Sequence, residues 1–295
     1  MVLEFLLGFE LRKPLHLFAT GVFFSSIAVF ISASLFAHAP SMVVVTFMTL
    51  PLVYIWTNIL GKRSVHESGP DTFAHLWKDN IGIAEDFLAL FLGMAVGIAV
   101  WFAVLPQDML ANMFAEQLWN LNTIGMATGF TTSPSTALAT ASSAVFVIRP
   151  DVFVTIAMNN IKLVLLSALL SFVFAAGAFF ILAWNASVVG VAVGTMINKF
   201  RVAGVVAPLA LGQGLGLGIV FYILHLVPEV VAYFYASVAG AFISNALLRY
   251  KPLSRHSNRL LAISGGLLAV AVGLILLGAV IEVGISHQIQ SALHV

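Results

Sequence analysis

The chain has 295 residues, of which 61% are hydrophobic and 8% charged, with a formal net charge of +1. A water-soluble domain carries about 25% charged residues, so this composition excludes a water-soluble fold and makes the lipid bilayer the solvent. No Lys/Arg run offers nucleic acid a footprint, and the absence of cysteine excludes disulfides, thiolate metal sites and cysteine nucleophiles together.

Arg12 and Lys13 precede an apolar stretch over 14–36, too long for the core of a cleavable leader, so this stretch is expected to be a retained first span. A crossing helix needs about 20 apolar residues. Seven stretches reach that length: 14–36, 39–60, 87–105, 161–183, 205–224, 228–248 and 260–281. Open sheet edges cannot be satisfied in lipid and no barrel alternation is present, so all are expected to be helical.

An eighth stretch, 185–198, is short and flanked by Asn185 and Asn198. If it does not cross, and the N-terminus is cytoplasmic, eleven of the thirteen Lys and Arg lie inside, with only Arg149 and Lys162 outside. The sequence therefore predicts seven crossings plus a re-entrant half-helix, a cytoplasmic N-terminus and an external C-terminus. Residues 61–86, with Phe73, Leu76, Trp77 and Ile81 among charges, predict an interfacial helix. Residues 106–160 hold an amphipathic piece from Met109 to Leu118, then a Ser/Thr/Ala/Gly tract from Thr123 to Ala144.

A charged group deep in a membrane is costly and marks function by default. Glu85, Asp86, Glu282, His16 and His287 fall in loops or at span ends, whereas His225 and Glu229 fall four residues apart in Tyr222-Ile-Leu-His-Leu-Val-Pro-Glu-Val. On a continuous helix that spacing puts imidazole and carboxyl on one face. Pro228 opens two geometries: a pair inside a kinked span, or a pair at a tight junction between 205–224 and 228–248. Three roles follow for the pair: ligands to a cation, with zinc first, a proton or ion relay, or a buried lock between helices. Asn159, Asn160, Asn185 and Gln213 are the polar groups expected to join it around a cavity. The glycines around Gln213 predict close helix approach rather than a phosphate cradle, since no strand precedes and no lysine follows.

The run Phe153-Val-Thr-Ile-Ala-Met-Asn159-Asn160-Ile-Lys162, then Ala175-Ala-Gly177, then Trp184-Asn185-Ala-Ser-Val-Val-Gly190 resembles the stage II sporulation protein M family. Its Asn-Asn-aliphatic-Arg span opening, Gly-rich span and Asn-Gly-x-x-x-Gly half-helix are followed by His-Gly-x-x-Glu-x-x-Ala, matched here by His225, Glu229 and Ala232 and then by the small-residue run 236–240. Lys162 stands for the arginine, Ala186 and Leu226 for two of the glycines, and Pro228 for an aromatic. The landmarks cover about residues 85–250. They imply a two-span extension over 1–84, a family-like membrane core over 85–250 and a C-terminal span and tail over 251–295.

The resemblance implies polar positions at Asn159, Asn160, Asn185, His225 and Glu229. It also implies a scaffold for membrane or envelope protein partners, as for the family's namesake, rather than a hydrolase. The resulting expectation is an all-α polytopic bundle that binds, and conducts or transports, a metal ion or proton. A non-catalytic scaffold is the alternative, and an intramembrane metal-dependent hydrolase the third. Its partners would be the bilayer and either a second copy or an envelope protein.

Overall fold

The structure is a computed structural model, and it describes residues 14–36, 40–55, 73–128, 150–174 and 178–293. Among them every regular element is a helix: α1 (Pro14–Leu35), α2 (Pro40–Ile55), α3 (Phe73–Val104), α4 (Gln107–Met113), α5 (Ala115–Thr128), α6 (Pro150–Val173), α7 (Ala178–Val202), α8 (Ala207–Leu248) and α9 (Arg255–Leu293). By length and composition six can cross a membrane: α1, residues 84–104 of α3, α6, α7, 222–248 of α8 and 255–284 of α9. The described part of α2 is apolar but shorter. The chain is a multi-pass helical membrane protein.

Local chemistry sets the breaks. Prolines open α1, α2 and α6, where the missing N–H costs nothing. α7 ends in a left-handed glycine, Gly204 at φ +86°. There the Val205 N–H donates to the Phe200 carbonyl at 3.0 Å and the Gly204 N–H to that of Arg201 at 3.1 Å. This is the Schellman arrangement that turns a chain sharply out of a helix. Ser254 caps α9 by accepting from the Ser257 N–H at 3.2 Å, and the Ser257 hydroxyl donates to the Ala246 carbonyl at 3.1 Å, pinning the α8–α9 hairpin.

Close backbone approaches fix the direction of each helix. Gly21 abuts Leu90 and Met94 while Gly97 abuts Val22 and Ser25, so α1 and α3 are parallel; Gly190 against Ala95 and Ile98, then Gly194 against Phe102, makes α7 parallel to both. α8 runs against α7, with Gly214 at Ile197 and Gly218 at Val193. It runs with α6, where Asn160 meets Glu229 and Ala168 meets Gly240. It runs against α9, where Gly278 meets Glu229. α2 starts five residues after the end of α1 and packs against it.

The order of passes differs from the expected one at three places. Residues 161–183 are not one span, because α6 ends at Val173 and α7 begins at Ala178. Residues 185–198 are not a separate half-helix but the continuation of the 25-residue α7. Asn185 does not break it, since its side-chain amide donates to the Ile181 carbonyl one turn back at 2.9 Å and so stays satisfied in mid-helix. Stretches 205–224 and 228–248 are one 42-residue helix that passes through Pro228.

The element that dips into the bundle is instead α4–α5. Phe114 packs on Phe102, near the end of α3, with centroids 5.4 Å apart and the rings tilted by 55°. Three residues later the Gln117 side chain donates to the Ser187 hydroxyl at 3.1 Å. Ser187 lies 15 residues before the end of α7, about 22 Å down its axis. Of the expected interfacial helix over 61–86, residues 61–72 lie outside the described residues, and Phe73 onward is continuous with the α3 span. The Ser/Thr/Ala/Gly tract beyond Thr128 also lies outside them.

Candidate functional site

α8 carries the site on one stripe. His225, Glu229 and Tyr233 recur every four residues, which on a helix aligns them on one face, and all three are buried. Because α8 is continuous through Pro228, the pair sits inside a helix and not at a junction between two spans. The proline cannot donate to the carbonyl one turn earlier, so it loosens the backbone beside the cluster.

Across from this stripe, α6 supplies Asn160, itself buried. Its amide nitrogen donates to Glu229 Oε1 at 2.6 Å, and its oxygen accepts from the Tyr233 hydroxyl at 3.0 Å. The chain of donation therefore runs from phenol to amide to carboxyl. α9 closes the third side. A Cβ at Gly278 would lie 3.2 Å from Glu229 Cγ and 3.3 Å from the His225 carbonyl, so glycine there lets α9 lie close over the pair. One turn further along α9, Glu282 is close enough to interact electrostatically with Glu229, Tyr222 and Tyr233. Tyr222 and His225 meet edge to face, with ring centroids 5.6 Å apart.

Of the residues singled out from sequence, the structure brings Asn160, His225 and Glu229 to one place. Asn159 is half-buried on the adjoining face of α6, Asn185 is half-buried and bonded within α7, and Gln213 is exposed on the first part of α8. Tyr233 and Glu282 were missed. The spacing of four from Glu229 marks Tyr233 on the same face. Glu282 looked like a span end because the apolar run stops at 281, yet α9 continues to Leu293.

Beside the cluster, between α3, α7 and α8, is a cavity of about 20 Å³ lined by Leu92, Ala95, Val193, Tyr222 and Leu226 among others. It is apolar and has room for about one water, so it is not the polar cavity anticipated from the asparagines. Among the described residues no three His, Cys, Asp or Glu side chains converge as a metal-holding group.

Fold and site together define a polytopic helical membrane protein with a buried carboxyl, Glu229, held where three helices meet. The family model described as Stage II sporulation protein M matches residues 121–287. This is more than half of the chain, and the chain belongs to that family. The matched region reaches through most of α9 and so includes Glu282, which the motif landmarks alone left outside. No curated protein and no solved structure matches the chain.

Proposed function

We propose that the Glu229 cluster binds a cation, either a proton or a small metal ion, within the membrane-spanning bundle. The observation that carries this reading is a buried Glu229 that accepts its hydrogen bond from a neutral amide and has a second carboxyl, that of the half-buried Glu282, within electrostatic reach. A carboxyl buried as Glu229 is, with a second carboxyl within electrostatic reach, is not left charged unless a cation sits with it. Asn160 orients Glu229, Tyr233 orients Asn160, and Gly278 admits α9 and with it the second carboxyl. A proton is the simpler occupant. A metal such as zinc would take His225 and Glu229, with amide or water oxygens completing the shell.

A ligand that binds only the folded state raises Tm by mass action. In lipid nanodiscs, Tm is expected to rise as acid or Zn²⁺ is added to the parent, and to respond to neither in Glu229→Gln. A parent whose Tm follows neither ion overturns the reading.

A second reading, a scaffold in which the cluster merely locks α6 to α8, is favoured by the small apolar cavity beside it. That reading predicts that Glu229→Gln, which keeps an acceptor for Asn160, leaves Tm and its ion response equal to the parent's.

The proposed orientation places the N-terminus in the cytoplasm and the C-terminus outside. With α1, α2, α3, α6, α7, α8 and α9 alternating in direction, nine basic residues flank the inner ends: Arg12, Lys13, Lys62, Arg63, Lys78, Arg249, Lys251, Arg255 and Arg259. Arg149, Lys199 and Arg201 flank the outer ends, and Lys162 lies within α6. The bias toward the cytoplasm survives although 185–198 belongs to a crossing helix, because α8 is one pass where two were expected.

A further inference from the structure

Lys162 lies outside the cluster, on the opposite side of α6. It is exposed, and Met158, Leu165 and Leu169, which share that side of the helix, are 49%, 57% and 57% exposed. A cation within a candidate span, ringed by apolar side chains, is unfavourable against hydrocarbon and calls for an opposite charge. No hydrogen bond or ion pair of Lys162 is found among the described residues.

The levels of the helices show where that charge can come from. α6 and α8 are parallel, and Asn160 is bonded to both Glu229 and Tyr233. Lys162, two residues on, is therefore level with Tyr233 and Phe234. Phe234 packs on Phe87 of α3 with centroids 5.3 Å apart. Glu85 is exposed two residues before Phe87, which puts it within about one helical turn, 5 Å, of the height of Lys162. Protomers of a membrane oligomer share one membrane normal, so groups at equal height can meet across an interface. A face of α6 packed on its own copy would set lysine against lysine, whereas α6 against the start of the α3 span sets lysine against glutamate.

We propose that the exposed face of α6 docks a second copy of this chain, with Lys162 pairing with the partner's Glu85. The test uses the full chain, labelled with donor or acceptor fluorophores and reconstituted in phosphatidylcholine vesicles, with association read by energy transfer. The parent is expected to associate. Lys162→Glu and Glu85→Lys should each weaken association about tenfold or more, and the doubly reversed chain should recover most of it. Thermal melting of each variant checks folding, and Lys162→Gln and Glu85→Gln replace any variant that fails to fold, again with weaker association expected. A parent that stays monomeric, single variants that associate like the parent, or a double variant that remains dissociated each overturn the proposal, the last by assigning Lys162 to an acid on a different chain.

Discussion

At Asn160 the side chain has both ends committed, donating to Glu229 and accepting from Tyr233. Asn160→Leu keeps the bulk but leaves a carboxyl and a phenol buried without that partner. Such a loss costs about 1–3 kcal/mol per group. The expected outcome is a lower midpoint in a denaturant titration in mild detergent, with Asn159→Leu close to the parent because Asn159 is half-buried and outside the network. Gly278 makes the complementary case. Gly278→Leu should push α9 away from Glu229 and His225 and abolish any ion response of Tm, while Gly273→Leu, with open space around it, should keep that response.

At the scale of elements, contact between helices rests on where glycine lets backbones touch. A methyl on Gly240 would run into the Ala168 carbonyl, whereas one on Gly212 meets nothing within 4 Å. Gly240→Ala is therefore expected to destabilise by about 1–3 kcal/mol, and Gly212→Ala to be neutral or stabilising by about 1 kcal/mol. Unfolding of the two variants side by side checks the sign.

The same scale shows what could be read in advance. Span-length apolar stretches were legible because hydrocarbon demands them, and so was the 225/229 pair, because helical spacing is periodic. The α6–α7 break was not. Residues 161–183 are apolar on both sides of it, and hydropathy is blind to a turn within apolar sequence. Asn185 misled for the reverse reason: a polar side chain that bonds its own helix looks like a boundary in sequence and is none in space. Glu282 was hidden because its companion Glu229 lies 53 residues away, and only the α8–α9 hairpin joins them. The inward course of α4–α5 likewise depends on Gln117 reaching Ser187, a contact that no local pattern announces.

For the whole molecule, the orientation proposed above from helix directions and charge placement makes a prediction of its own. The cysteine-free chain suits a direct check: in oriented vesicles, Ser254→Cys between α8 and α9 should react only with reagent on the cytoplasmic side, and Ala203→Cys between α7 and α8 only with reagent on the other. Identical sidedness for both would remove α8 as a single pass. The claim on which the functional reading rests is narrower, that Glu229 shares its buried site with a cation. Infrared difference spectroscopy of the parent against Glu229→Gln in lipid tests it most directly. The account predicts that the substitution removes either a protonated carboxyl stretch or a metal-shifted carboxylate pair, and a difference spectrum showing only a free, hydrated carboxylate would contradict it.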